Sequence, residues 1–284
     1  MLVVEACSVA VGCRGGFGLR MVGWLADQPK PGRCVVEHYD HGVQTVVVVP
    51  TYNEVENIER FLRAVRTASP TIQVLVVDDA SPDGSADVAR LVAAELGGIE
   101  VLVRDGDRGL GNAYREGFEH VVASSAAIIV SMDADLSHDP AAIGDLVAAV
   151  TGDIGMVIGS RYVPGGRVVN WPAHRRWLSR WGNRYTALAL GLRARDCTSG
   201  FRAYRREALI ALEPSTTTAE GYAFLTELVR RAHQRGIEIG EVPITFVDRR
   251  YGTSKMSGRI IVESMARVTK WAVTDRWAAR RSRG

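Results

Sequence analysis

Apolar residues recur along this chain in short continuous runs, and each run is followed by a stretch of helical spacing. The run TVVVVP, beginning just after Gln44, shows no polar alternation and predicts a strand buried on both faces. From Val55 to Ala68 the period changes, with Ile58, Leu62 and Val65 on one helical face. Ile72 to Val77 predicts the second strand, Ala86 to Leu96 a helix, and Ile99 to Val103 the third strand. The segment DRGLGNA then opens a helix that runs through about Val122, and Ala127 to Met132 is the fourth strand. A further helix and a strand from Met156 to Gly159 follow. Repeated strand–helix units of this length predict an α/β fold with a mostly parallel central sheet flanked by helices.

After Arg161 the pattern changes. A Gly-rich loop (VPGGR) leads to a Trp- and Arg-rich helix over His174 to Leu190, then a loop DCTSGFRAY and a helix from Gly221 to His233. Two short strands are expected around Ile237 to Val247, followed by DRRYGTSK and a terminal helix from about Ser257. Residues 1–42 lack a period and are broken by CRGGFG and QPKPGR, so they are expected to form a disordered or weakly ordered leader. Met21 is a second candidate initiator within it. Residues 43–277 are expected to form one domain and 278–284 a basic tail.

Composition narrows the function. The net charge is +3, so bulk charge implies no nucleic-acid partner. The four cysteines, Cys7, Cys13, Cys34 and Cys197, have no CxxC spacing, which argues against a zinc site or disulfide framework and for a reducing cytosol. No apolar run reaches the roughly 20 residues that cross a bilayer. The opening MLVVEACSVAVG lacks a basic start and carries Glu5, a poor signal peptide. The end of the chain, WAVTDRWAARRSRG, is basic with Trp271 and Trp277; it suits either an anionic membrane surface or a solvated helix end.

The candidate chemistry centres on IIVSMDADLSHDP, Ile128 to Pro140. Asp133 and Asp135 lie two residues apart at the end of a strand, so in extended chain they share a face. Hard oxygen donors at that spacing suit Mg²⁺ or Mn²⁺ completed by substrate phosphate oxygens. The same letters also fit a helix start, with Asp135 or Ser137 capping the segment after Pro140. The first two strand ends add Thr51, Tyr52, Asn53, Glu54, Asp78 and Asp79, a cluster suited to base N–H groups and ribose hydroxyls rather than phosphates; Asp79 alone also fits a turn before SPDG. No GxGxxG follows the first strand, and Gly109-Leu110-Gly111 reads as a tight helix start in preference to a phosphate-binding turn. His138, following the DxD, is a candidate ligand but reads rather as a neighbour of the carboxylates or an exposed residue, Glu227 as a site group or a partner of Arg230 or Arg231, and Cys197 as a small buried residue.

In order and spacing, PTYNE, VVDDASPDGS, DADLSH, GSRYVPGG, NWPAHRRWLS, DCTSGFRAY, GYAFLTEL and DRRYGTSK resemble the family-2 inverting glycosyltransferases of the GT-A fold, in particular the polyprenol-phosphate (dolichol-phosphate) mannose synthases. The resemblance spans about Val46 to Trp271; PTYNE and DxD mark only the superfamily, whereas W-P-x-x-R-x-x-x-S and G-x-S-K are more specific. It implies that Pro50, Tyr52, Glu54, Val77 and Asp79, with Ala134, hold the nucleoside of a nucleotide sugar. Asp133 and Asp135 match the metal-binding pair; Ser137 stands where family members often have Gln, with a shorter reach. Arg161, Arg175 and Ser179 match the residues that hold a lipid phosphate. Arg249 and Lys255 match the late basic motif over the diphosphate, with Arg250 an alternative to Arg249 by spacing.

The implied reaction is transfer of mannose from GDP-mannose to polyprenyl phosphate by a peripheral enzyme on the cytoplasmic membrane face. UDP-glucose as donor, and a non-catalytic membrane-docking subunit, are the competing readings. Reaching a lipid requires a surface helix or a membrane-embedded partner protein. The stretch from Arg259 to Trp277 offers Ile261, Met265 and Val268 on one stripe with Trp271 beside it; its first half is expected to pack on the sheet and Ala272 to Gly284 to favour the membrane.

Overall fold

The computed structural model describes residues 44–248 and 258–281, which belong to one compact unit. The leader expected over 1–42, and Arg249, Arg250 and Lys255, lie outside the described residues. The elements run β1 (Thr45–Thr51), α1 (Ile58–Ala68), β2 (Gln73–Asp78), α2 (Ser85–Leu96), β3 (Ile99–Val103), α3 (Leu110–Val122) and β4 (Ile128–Ser131). A 3-10 turn (Pro140–Ala142), α4 (Ile143–Ala148), β5 (Ile154–Ser160), β6 (Arg167–Val169) and α5 (Ala173–Leu190) follow. The chain continues with β7 (Arg202–Arg205), α6 (Arg206–Leu212), α7 (Tyr222–Gln234), β8 (Glu238–Pro243), β9 (Thr245–Val247) and α8 (Gly258–Arg281).

Seven strands form the central sheet in the order β3-β2-β1-β4-β7-β5-β8. All pairs are parallel except those of β7, which runs antiparallel between β4 and β5. β1 is the pivot: the chain moves outward from it to β2 and β3, then returns to its other side with β4. That reversal opens a crevice at the carboxyl ends of β1 and β4, where open α/β sheets bind ligands.

β1 explains the two-sided core. Val46 and Val48 face one side with Leu75, Tyr114, Phe118 and Phe224, while Val47 and Val49 face the other with Ile58, Phe61, Leu62 and Val130. α3 approaches closely because Gly117 has no side chain: a Cβ there would lie 2.7 Å from Val48 Cγ1 and 2.8 Å from Val77 Cγ2.

Two expectations change. DCTSGFRAY is not wholly loop, since its last residues enter β7, a strand too short and too polar at Arg202 to show a period. The buried Arg202 guanidinium instead donates to the carbonyls of Ser199 (2.7 Å), Leu225 (2.7 Å) and Cys197 (2.8 Å), tying β7 to the preceding loop and to α7. The terminal helix packs on α5 and α7 rather than on the sheet. It buries Val268 and Ala272, and Tyr185 of α5 meets Thr269 at 2.7 Å. Ile261 has no described side chain, Met265 is half-buried, and Arg280 and Arg281 belong to the helix rather than to a tail.

Candidate active site

The first part of the site lies where β1 and β2 end. Pro50, Thr51, Tyr52 and Asp79 line a cavity of about 240 Å³ with Arg108, Gly109, Leu110 and Ala113. The two adjacent aspartates divide their work. Asp78 is fully buried and accepts from Thr51 Oγ1 (2.9 Å), Ser81 N (2.8 Å) and Ser81 Oγ (2.7 Å), which fastens the turn. Asp79 faces the cavity, ion-paired to Arg104 and accepting from the Gly109 amide at 2.8 Å. The turn role expected for Asp79 thus belongs to Asp78. Burial weakens Arg104's hold on its proton, but the hydrogen bonds and charges of Glu116 and Asp79 outweigh it and raise its affinity for the proton above the ordinary value.

Tyr52 accepts from Arg108 Nη1 at 3.0 Å, and the Arg108 guanidinium lies over its ring, 5.0 Å from the centroid. Glu54 accepts from Asn57 Nδ2 at 2.9 Å, and its amide donates to Ser85 Oγ at 2.9 Å. Val77 and Ala134 are core residues by their side chains. Gly109 is the residue before α3, at φ +147°, in keeping with a tight helix start.

The carboxylate pair follows β4. Asp133 is partly open, with its side chain 31% exposed, whereas Asp135 is buried and accepts from the Ser137 amide at 3.0 Å. The chain turns sharply at Leu136, φ +58°. The helix-cap reading of Asp135 or Ser137 does not hold, because Asp139 caps the following turn by accepting from Ala141 N at 2.9 Å. Gly200 makes room for Asp133: a Cβ on it would lie 3.2 Å from both carboxylate oxygens. Ser131 Oγ holds that loop by donating to Gly200 O at 2.8 Å. His138 is buried, not exposed, between Phe201 and Phe246. Its Nε2 lies 3.7 Å from Asp133 Oδ2, and among the described residues neither ring nitrogen has a hydrogen-bond partner.

Among the described residues no cluster of three or more His, Cys, Asp or Glu side chains is assembled to hold a metal. Two neighbouring carboxylates, one of them open, fit a hard divalent cation that takes its remaining ligands from substrate and water; Asp133 and Asp135 are the residues that would hold it. The buried Ser137 would lie beside them, and its carbonyl already accepts from Val247 N at 3.0 Å.

The third part is cationic. Arg161, just past β5, is buried; its Nε and Nη2 each donate at 2.7 Å to Asp196, and Nη2 also reaches Thr198 Oγ1 at 2.8 Å. Its guanidinium lies over Trp171 (5.8 Å) and Phe246 (5.5 Å). Arg175 from α5 stacks on the same Trp171 at 4.0 Å and is paired with Asp248 at 3.1 Å. Ser179, one turn on, accepts from Tyr162 Oη at 2.6 Å. Phe246 touches His138, Trp171 and the Arg161 guanidinium, so it joins the carboxylate pair to the arginine cluster.

The structure therefore gathers Arg161, Arg175 and Ser179 around Trp171 and Tyr162, and Tyr52 and Asp79 around one cavity. Glu227 is structural: it pairs with Arg231 at 2.9 Å and accepts from the amides of Thr218 and Ala219. Cys197 is a buried thiol that burial pushes up to about 12, so it holds its proton at neutral pH. The residues that sequence reasoning missed are Arg104, Arg108, Asp196, Gly200 and Phe246. Asp196 and Gly200 lie inside the motif DCTSGF, and Arg108 inside DRGLGNA; Phe246 carried no signal.

This sheet order, with a carboxylate pair beside the switch point, defines the GT-A fold of nucleotide-sugar transferases. The glucosyl-3-phosphoglycerate synthase of Mycobacterium tuberculosis, solved with Mn²⁺, uridine diphosphate and phosphoglyceric acid, shares the fold; the TM-score is 0.60 at 21% identity, over 83% of this chain and 78% of that one. The mannosyl-3-phosphoglycerate synthase of Rubrobacter xylanophilus gives 0.57 at 19% identity, over 84% and 75%.

The chain belongs to glycosyl transferase family 2, whose model matches residues 46–212. It is 44% identical to the undecaprenyl-phosphate mannosyltransferase of Micrococcus luteus, over 85% of this chain and 99% of that protein. It is 43% identical to the polyprenol monophosphomannose synthase of Mycolicibacterium smegmatis, over 82% and 88%.

Proposed function

We propose that this glycosyltransferase moves mannose from GDP-mannose to a polyprenyl phosphate, with inversion at the anomeric carbon, giving polyprenyl phosphate mannose and GDP. The observation that carries this reading is the meeting of Arg161 and Arg175 over one indole ring, Trp171, with Ser179 one turn away. Two guanidinium groups and a hydroxyl suit a phosphate monoester far better than a sugar hydroxyl. The named relatives point to the same acceptor class.

A phosphate monoester has a second pKa of about 6, so at neutral pH it is already largely dianionic. The nucleophile then needs no general base, and the difficulty is charge. Two like charges 4 Å apart repel by about 4 kcal/mol at an effective dielectric of 20. Arg161 and Arg175, oriented by Asp196 and Asp248, would hold the acceptor phosphate and cancel part of that repulsion. A phosphate oxygen attacks the anomeric carbon as the bond to the diphosphate oxygen breaks, and the leaving electron pair stays on GDP. A bound Mg²⁺ or Mn²⁺ would neutralise the departing diphosphate as a Lewis acid, held by Asp133 and Asp135 with Ser137 beside them. Arg249 and Lys255 are assigned to the same diphosphate by family resemblance. Pro50, Tyr52, Glu54, Val77, Asp79 and Ala134 are assigned to the nucleoside.

Among the described residues no helix is long and apolar enough to cross a membrane. The acceptor is a lipid, so the reading includes work at the cytoplasmic membrane face, peripherally or beside a membrane-embedded partner protein, and no nucleic acid. The test is transfer of labelled sugar from GDP-mannose, and separately from UDP-glucose, to a short polyprenyl phosphate with and without EDTA. EDTA-sensitive mannolipid from GDP-mannose alone is expected. Product from UDP-glucose alone would overturn the donor, and absence of product from both would overturn the reaction.

A further inference from the structure

We propose that Arg104, which stands behind the nucleotide cavity rather than in its wall, is a positioning residue for the nucleotide. It holds the Asp79 carboxylate turned into the cavity and cancels its charge, a role that rests on the assignment of that cavity to the nucleoside. The register of the sheet sets the two residues side by side. The Asp79 amide donates to Thr51 O at 3.0 Å and the Arg104 amide to Asp78 O at 2.8 Å, so both continue the parallel ladder just past β2 and β3. There Arg104 Nη1 pairs with Asp79 Oδ1, and the two side chains are only 6% and 5% exposed. In the other direction Arg104 Nε donates to Glu116 of α3 at 2.7 Å. Asp79 Oδ2 accepts from the Gly109 amide, where α3 begins. Asp79, Arg104, Glu116 and Gly109 thus close a ring that joins two strand ends to the first half of α3.

Stability does not account for this ring, because exchanging a buried ion pair for apolar residues of like volume is often neutral or stabilising. What the pair supplies is a hydrogen-bond acceptor without net charge. An ionised carboxylate has about four lone-pair sites. Asp78 spends its sites on Thr51 and twice on Ser81, whereas Asp79 meets only Arg104 and Gly109 and turns what remains to the cavity. Base N–H groups and ribose hydroxyls are donors, and such an acceptor suits them. A carboxylate without a counter-charge would repel the diphosphate of the same ligand. The Arg104 charge beside Asp79 removes that repulsion and leaves the lone pairs in place. Glu116 disturbs this balance little, since its side chain is 45% exposed and screened by solvent.

The same arginine fixes the helical wall of the cavity. Gly109, Leu110 and Ala113 line it from α3, and Glu116 lies three residues beyond Ala113 on that helix. Releasing Arg104 therefore loosens Asp79 and this wall together. A planar guanidinium serves Asp79 and Glu116 in two directions at once. The ammonium of lysine keeps the charge but not the fork, so it preserves only part of the positioning.

The experiment is calorimetric titration of the full chain with GDP, with UDP and with pyrophosphate, each in the presence of Mn²⁺. Arg104→Met is expected to weaken GDP binding at least about tenfold and to leave pyrophosphate binding unchanged. Arg104→Lys should recover part of the loss. In an Asp79→Asn background, Arg104→Met is expected to add no further loss, because a positioning residue acts only through the group it positions. If circular dichroism shows Arg104→Met unfolded, Arg104→Gln, which keeps N–H donors for the buried carboxylate, is read in the same cycle. GDP binding by the folded variant equal to wild type would overturn the proposal. So would an equal loss for pyrophosphate, or an undiminished loss in the Asp79→Asn background. If the wild type binds UDP and not GDP, the donor reading falls and the same cycle with UDP decides Arg104 alone. Wild type that binds neither nucleotide overturns both.

Discussion

Asp196 grips Arg161 from three directions. Its carboxylate accepts from the Arg161 backbone amide at 3.0 Å and from Nε and Nη2 at 2.7 Å each, with both side chains buried. Burial pushes the Asp196 carboxyl up, but Arg161 and its hydrogen bonds outweigh that and hold it below its ordinary value. A depressed carboxyl stabilises the fold at neutral pH, and that contribution is lost as pH falls below about 4. Asp196→Asn leaves a buried guanidinium short of its counter-charge, so it is expected to cost about 3–5 kcal/mol in urea unfolding at pH 7. The gap between wild type and variant should stay constant from pH 7 to pH 5 and narrow in more acid solution. A gap that widens with acid would show that the pair is not the source.

The metal reading makes a separable prediction at Asp133 and Asp135. Asp133→Asn and Asp135→Asn are each expected to lower turnover at least about a hundredfold, because the developing diphosphate charge loses its neutralising partner. Mn²⁺ binding, followed by electron paramagnetic resonance in the presence of GDP, should weaken in parallel. Gly200→Ala is the subtler probe, since its new methyl group would lie 3.2 Å from both Asp133 oxygens and must displace them. Full Mn²⁺ affinity in all three variants would remove these carboxylates from the metal site.

The contrast between Asp133 and Asp196 shows what could be read from the chain. Asp133 was visible because an apolar run, broken only by Ser131, ends abruptly in two carboxylates, a local pattern that needs no tertiary information. The strands of β1, β2 and β4 were legible for the same reason, their burial on both faces being written as consecutive valines and isoleucines. Asp196 was not visible, because its meaning comes from an arginine 35 positions away. β7 was hidden too: it is four residues long and contains two arginines, and what makes it a strand is the pairing with β4 and β5. Arg108 and Phe246 act through contacts with Tyr52 and Trp171 that only the folded chain creates. The carboxylate pair was thus written locally, and the network orienting the arginines was not.

Arg108 provides a test of the nucleotide cavity. It lies over Tyr52 and donates to its hydroxyl at the rim of the space that Asp79 and Gly109 line. An arginine fork pairs well with the O6 and N7 edge of guanine, a contact worth about 1–3 kcal/mol of discrimination between bases. Arg108→Ala is therefore expected to weaken GDP binding by about tenfold or more in calorimetry while leaving UDP binding near its wild-type value. An equal loss for both nucleotides would mean that Arg108 braces Tyr52 and does not read the base.

Arg175 separates charge from geometry at the acceptor. Its guanidinium stacks on Trp171 at 4.0 Å while Nη1 reaches both oxygens of Asp248, at 3.1 and 3.2 Å. A planar fork makes both contacts at once, and the ammonium of lysine, a compact point charge, cannot reproduce the stack. Arg175→Lys keeps the charge, so if charge alone mattered it would behave as wild type. The expected result is instead a rise of about tenfold in KM for polyprenyl phosphate, with KM for the nucleotide sugar unchanged. Arg175→Ala should raise it further. Steady-state kinetics with each substrate varied in turn distinguishes the cases. A lysine variant indistinguishable from wild type would reduce Arg175 to a source of positive potential, and an equal rise in both KM values would place it outside the acceptor site altogether.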